Sequence, residues 1–219
     1  GAIDTTHELY VGNIGIHGNY ASNTAIQQCD VLFSIGTRFN DRITGRIETF
    51  AQNAKIVHID IDPASISRNI VVDIPVVADA KVAINAMLER MEPLQTDEWL
   101  ASIQAWKKAY PIQIKHDGLN PQRVIQYINQ AFDDCIVTTD VGQNQLWTTQ
   151  FFDINEHKQL LTSGGLGTMG YGLPSAIGAQ FAYPNRRVIS INGDGGMQMN
   201  IQELATAVVY GLPVIICVF

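Results

Sequence analysis

Positive charge is scarce in this chain. Lys and Arg number 14 against 21 Asp and Glu, for a formal net charge of −7. Proteins that neutralise a phosphate backbone carry a basic face, so this balance argues against nucleic-acid binding. Cysteine is sparse too: Cys29, Cys135 and Cys217 are an odd number, far apart, with no CxxC pair. That spacing argues against a zinc site or a disulfide framework and reads as three reduced thiols. Long apolar runs are missing. The longest, such as PVIICVF, are strand-length and far short of the roughly 20 residues a membrane-spanning helix needs. There is no signal-peptide pattern, no GK[ST] of a Walker loop and no GxGxxG in dinucleotide-binding spacing. The chain opens on Gly1 and stops at Phe219 inside an apolar run, so a piece of a longer protein is expected.

What is present is an ordinary globular composition, 46% hydrophobic and 16% charged, which excludes a disordered chain. Short Val/Ile-rich runs alternate with helical patterns. DVLFSIG and KIVHIDID read as buried parallel strands, and DAKVAINAMLERME as a helix capped by Asp79. TDEWLASIQAWKKAY reads as a helix, and PIQIKHDGLNP as a connector punctuated by Pro, Gly and Asn. The alternation then resumes: PQRVIQYINQAF, CIVTTD, a loop VGQNQ, QLLTS, GLPSAIGAQFAY, RVISING, NIQELATAVVYG and PVIICVF. The expected fold class is α/β: two Rossmann-like, doubly wound parallel-sheet domains, both incomplete or truncated. The expected boundaries are residues 1–92 for a first domain, 93–118 for a linker with a helix, and 119–219 for a second domain.

Three strand-end loops could carry chemistry. INGDGG places Asp194 between glycines at the carboxyl end of a strand, where ligands of open α/β sheets bind. A lone aspartate there suits Mg²⁺, which takes few protein oxygens and shares phosphate oxygens for the rest. The helix after it can open with a capping box, Asn200 to Glu203. The same spacing also fits a plain βα turn, because Gly-Asp-Gly is common. TSGGLGTMGYGLPSAIGA packs five glycines between Gly164 and Gly172, before a helix, and can present N–H groups to an anion or simply pack tightly. TTDVGQNQLW adds a carboxylate and amides. Together the loops form a site able to hold a diphosphate and its metal.

These stretches resemble the diphosphate-binding domain of thiamine-diphosphate-dependent enzymes. In that family Gly-Asp-Gly is followed further on by Asn-Asn or Asn-Gly, and the Asp and Asn bind Mg²⁺ that bridges the cofactor's diphosphate. The resemblance implies Asp194 as the first Mg²⁺ ligand, with the second just after Phe219. It also puts Gly142, Gln143, Asn144, Gly167, Met169, Gly193, Gly195 and Gly196 at thiamine diphosphate, with Met169 under the bend of the cofactor. The first part, GIHGNYASNTAIQQCDVLFSIGTRFNDRITG with KIVHIDIDPASISRN, is similar to the middle domain of acetolactate synthase catalytic subunits. The resemblance spans nearly the whole chain, most specifically residues 12–68 and 138–219. That domain binds FAD. Ile16, His17, Gly18, Arg38 and Arg42 would face the flavin and its diphosphate, and Asp60, Ile61 and Asp79 the adenosine end. Paired arginines after a strand suit forked contact with phosphate, and an acid at the next strand end suits a ribose hydroxyl. From the residues alone, Arg38–Arg42 also fits a solvated surface cluster, and His17 and His58 fit structural roles.

The chain departs from the family pattern at two places. GQNQLW stands where GQHQMW is usual, so Asn144 hydrogen-bonds but cannot titrate. RFNDR stands where RFDDR is usual, so Asn40 removes one negative charge. The implied reaction is condensation of pyruvate with pyruvate or 2-ketobutyrate, with loss of CO₂, in branched-chain amino acid biosynthesis. FAD has no net redox role in it. The implied assembly is a homodimer or tetramer, with a small regulatory subunit. The implied compartment is the cytoplasm, or a plastid in a plant. The activating glutamate of the family lies in an N-terminal domain, so no catalytic residue is expected in these 219 residues and no activity from them alone. Weak Mg²⁺-thiamine diphosphate binding is the most expected of them in isolation. The alternatives are pyruvate oxidase or glyoxylate carboligase on the same scaffold, or a non-catalytic nucleotide-binding module.

Overall fold

A computed structural model describes residues 3–114 and 118–219. The chain forms two compact units, one over Val11–Ile112 and one joining the residues up to Tyr10 with Gln113–Phe219. In the first unit, helix α1 (Tyr20–Gln28) leads into strand β1 (Val31–Ile35). Helix α2 (Asp41–Thr44), strands β2 (Lys55–Asp60) and β3 (Ile74–Val77), and helices α3 (Ala80–Leu88) and α4 (Asp97–Ala109) follow. The strands pair in parallel in the order β1-β2-β3. Phe39, Phe50, Ala51, Ile56, Ile70 and Val72 form the buried core.

Two expectations change here. No strand is expected at Ile74–Val77, a four-residue run interrupted by Pro75. Proline has no N–H to give a ladder and so sits at edges, and β3 is the last strand in the sheet order. The helix expected within a linker is α4, which packs against α1 inside the first unit. Its Ile103 is buried, and Tyr110, just after it, stacks on Tyr20 with ring centroids 4.0 Å apart. An apolar stripe on a helix must bury itself, and α1 is what covers this one. Residues 115–117 of the expected connector lie outside the described residues.

The second unit runs α5 (Pro121–Ala131), β4 (Cys135–Thr139), α6 (Gln143–Phe151), β5 (Lys158–Thr162), α7 (Gly172–Ala182), β6 (Arg187–Asn192), α8 (Asp194–Met199), α9 (Glu203–Val209) and β7 (Ile215–Val218). Pro121 opens α5 at its first turn, where a missing N–H costs nothing, and Asn120 caps it by accepting from the Arg123 N–H. The four strands are parallel in the order β5-β4-β6-β7. Both faces of β4 are covered, and all five of its residues are buried. Ile125, Cys135, Val137, Ile189 and Ile191 pack on one face. Ile136, Val188, Ala176 and Ala179 pack on the other. β4 and β6 are buried along nearly their whole length, as doubly covered parallel strands are. The residues before Tyr10 belong to this unit through Thr5, whose N–H donates to the Ile154 carbonyl at 2.8 Å and whose Oγ1 accepts from the Ile154 N–H at 2.7 Å. No helix among the described residues is long and apolar enough to cross a membrane.

Cys135 is fully buried in β4, and burial pushes its thiol up to about 11. The folded chain therefore holds this proton to higher pH than the unfolded chain does. Stability falls as pH rises from the ordinary thiol value towards 11. At pH 8 an alkylating reagent leaves Cys135 unmodified in the native chain and modifies it in urea, as read by peptide mass spectrometry. Modification of native Cys135 within minutes contradicts the packing.

Candidate cofactor site

The strand order of the second unit reverses between β4 and β6, because β5 lies on one side of β4 and β6 and β7 on the other. Loops leaving two neighbouring strands in opposite directions open a crevice at their carboxyl ends, where ligands of such sheets bind. The turn after β4 is only Asp140–Gly142, since α6 already begins at Gln143 rather than after the expected loop VGQNQ. Gly142 has φ +134°, a conformation that L side chains rarely adopt. Gln143 is exposed at the first turn of α6.

Asn144 is buried across the crevice. Its Nδ2 donates to the Asp140 carbonyl at the end of β4 (3.1 Å) and to the Ile191 carbonyl in β6 (3.0 Å). Its Oδ1 lies between Gly142 and Gly193, 3.3 and 3.5 Å from where their Cβ atoms would stand. The side chain thus clamps the two strand ends that define the crevice, a task that needs a donor and no titration.

After β6 comes the Gly-Asp-Gly turn. Gly193 precedes α8, and Asp194 is its first residue, exposed, with Oδ1 accepting from the Gly195 N–H at 2.8 Å. Met169, 43% exposed, reaches to 3.4 Å from the Cβ position of Gly195, so the glycine loop and this turn touch. Gly167 is exposed, with φ +65° and its N–H on the Ser163 carbonyl at 2.9 Å. Gly196 is buried. Among the described residues no group of three His, Cys, Asp or Glu side chains could hold a metal ion. The donor set here is one open carboxylate, which fits a Mg²⁺ that draws its other oxygens from a diphosphate and water.

Two readings from sequence are corrected. The end of the glycine-rich loop does not offer its N–H groups to an outside anion. Gly170 and Gly172 donate to Oδ1 and Oδ2 of Asp140, at 3.1 and 2.9 Å. The N-terminus of α7 is thus met by the chain's own carboxylate. The capping box at Asn200 does not form either. Asn200 Nδ2 donates to the Gly170 carbonyl at 2.6 Å, and the segment splits into α8 and α9 around it. Tertiary contact with the loop outcompetes a local cap. Asp140, Asn192 and Asn200 were not singled out as site residues. A carboxylate before Val-Gly at a strand end was the available signal for Asp140.

In the first unit the parallel strands bring the flavin candidates to one sheet edge. Arg38 follows β1, Asp60 ends β2 with Ile61 next, and Asp79 follows β3. Arg38 and Arg42 are exposed, with Arg42 3.0 Å from Asp41. Ile61 is 71% exposed. The turn Gly15–His17 packs on α2, and the Cβ position of Gly15 lies on the Arg42 carbonyl. Ile16 is exposed, and Gly18 closes the turn through its N–H to the Gly15 carbonyl at 3.0 Å. Asp60 Oδ1 accepts from the Asp62 N–H, while Oδ2 lies 3.8 Å from Nε2 of buried His58. The Asp79 carboxylate caps α3, accepting from the N–H groups of Lys81 and Val82. Asn40 caps α2 by accepting from the Ile43 N–H, as an aspartate there also could.

A family profile described as "Thiamine pyrophosphate enzyme, central domain" matches residues 1–87. Another, "Thiamine pyrophosphate enzyme, C-terminal TPP binding domain", matches residues 140–219. The whole chain is 46% identical to a probable acetolactate synthase large subunit of Methanocaldococcus jannaschii, covering 39% of that protein. It is 42% identical to another of Methanococcus aeolicus, covering 40% of it. Over 98% of its length it is 44% identical to an acetolactate synthase large subunit of Cyanidium caldarium, covering 38% of that protein. The chain thus spans about two fifths of the length of these curated relatives.

Proposed function

We propose that this chain, which matches the central and C-terminal domains of thiamine pyrophosphate enzymes, works as part of an acetolactate synthase catalytic subunit. The observation that carries this reading is the convergence of the loops at the β4/β6 crevice: the Asn144 clamp, Met169 against Gly195, and the open carboxylate of Asp194. Asp194 would hold Mg²⁺. Gly142, Gln143 and Asn144 would line the diphosphate, with Gly193, Gly195 and Gly196 leaving it room, and Gly167 and Met169 would lie beside the cofactor's rings. When bound, thiamine diphosphate would supply the electron sink for decarboxylation of a 2-keto acid. These residues bind and orient the cofactor, and none of them is assigned a proton transfer.

FAD is proposed at the carboxyl edge of the first unit's sheet. Arg38 and Arg42 would meet its diphosphate, the turn Ile16–Gly18 its flavin end, and Asp60, Ile61 and Asp79 its adenosine end. The exposure of both guanidinium groups at that edge supports this. The proposed substrates are pyruvate and 2-ketobutyrate. The proposed assembly is a dimer or tetramer of catalytic subunits, with a small regulatory subunit as partner.

The test is an assay of the full-length protein that carries this chain, with Mg²⁺, thiamine diphosphate, FAD and pyruvate. Acetolactate without oxygen consumption is the expected outcome. Oxygen uptake matched to pyruvate loss would move the assignment to a pyruvate oxidase.

A further inference from the structure

Asp140 is fully buried, and every polar group it has is used. Its N–H donates to the Ile191 carbonyl at 2.9 Å, and its own carbonyl accepts from Asn144. Its carboxylate accepts from the N–H groups of Val141, Gly170 and Gly172 at 2.8, 3.1 and 2.9 Å. That leaves little room for a metal, since a carboxylate offers about four acceptor sites. A buried polar group with this many partners fixes whatever it binds, because losing one partner leaves an unsatisfied group in a dry interior.

The bonded partners lie on two of the three strand-end loops, and the third is held by contact. The Cβ position of Gly196, in α8, falls 2.1 Å from Asp140 Oδ1 and 2.4 Å from its Cγ. The helix carrying Asp194 is therefore seated directly on this carboxylate. The glycine loop is gripped from the other side as well. Thr138 Oγ1 donates to the Gly172 carbonyl at 2.8 Å, and Asn200 Nδ2 to the Gly170 carbonyl. Gly172 also stands where its Cβ would meet Asn192 Oδ1, a buried oxygen without a hydrogen bond among the described residues.

We infer that Asp140 is a positioning residue that locks the glycine-rich loop to the Asp194 turn and so presets the cofactor site before any ligand arrives. This rests on the reading of the crevice as a thiamine diphosphate site, but its first test does not. In the cofactor-free full-length protein that carries this chain, Asp140→Ala speeds hydrogen exchange about tenfold or more in both 164–172 and 193–199, and leaves the cores of β4 and β6 protected. Asp140→Asn keeps the shape and one acceptor and gives a smaller change in the same two segments. Faster exchange in only one segment, or uniformly over the unit, overturns the coupling.

The second arm is a double-mutant cycle read as half-saturation by thiamine diphosphate at fixed Mg²⁺. Gly196→Ala raises it about tenfold with Asp140 present, and less than about threefold in the Asp140→Ala background, where the carboxylate it would strike is gone. Additive effects overturn the proposal. A wild-type chain that binds no thiamine diphosphate refutes the function reading instead, and hydrogen exchange then decides on Asp140 alone.

Discussion

Asp194→Ala is expected to lower the affinity of the full-length protein that carries this chain for Mg²⁺-thiamine diphosphate by at least about 100-fold, or roughly 2.7 kcal/mol. Two carboxylates stand at the β4/β6 crevice. Asp140 is buried and taken up by backbone N–H groups. Asp194 is exposed, and among the described residues only its Oδ1 is engaged, by the adjacent Gly195 N–H. A cation at this edge therefore depends on Asp194 for its charged protein ligand, and alanine leaves only a diphosphate and water to hold it. Asp194→Asn keeps an oxygen without the charge and falls between the two. Calorimetric titration at fixed Mg²⁺ reads all three. Affinity within about threefold of wild type for the alanine variant would remove Asp194 from the metal site.

Gly172→Ala is expected to destabilise the second unit by about 3 kcal/mol, at the upper end of ordinary overpacking. Its Cβ would stand 2.3 Å from Asn192 Oδ1 and 2.8 Å from the Asp140 backbone nitrogen. Neither neighbour can retreat, since both belong to buried strand ends of the central sheet. The control lies six residues on in the same helix. Gly178 is exposed, with nothing within 4 Å of its Cβ position. Gly178→Ala is expected to stabilise by about 0.5–1 kcal/mol, because alanine loses less chain entropy in a helix. Urea denaturation of the two variants gives opposite shifts in midpoint. Equal shifts would mean that helix propensity, not the strand-end contact, governs α7.

The alternation of apolar runs and helical patterns was enough to expect parallel α/β sheets, and both are present. It missed β3, because four residues with a central proline carry almost no strand signal. It set α4 in a linker, because an amphipathic pattern does not say which surface will cover it. At the crevice, the glycines and Asp194 were visible as a strand–turn–helix motif. The partners of the glycine loop were not, because Asp140 and Gly170 are far apart in sequence and meet only when β4 lies beside the loop. Asn144 shows the same division. Its letter excludes a titrating role, while its work as a clamp between β4 and β6 depends on the carbonyl of Ile191, 47 residues away.

By itself the sequence determined which segments could be strands, which turns needed glycine, and that a lone aspartate would sit in one of them. Those properties are local, set by side-chain periodicity and backbone freedom. Only the tertiary structure decided which of two strand-end carboxylates stays open. Parallel pairing brings the Gly170 and Gly172 N–H groups and the seat of Gly196 onto Asp140. Those backbone donors consume it, and Asp194 is left facing solvent with an oxygen to offer.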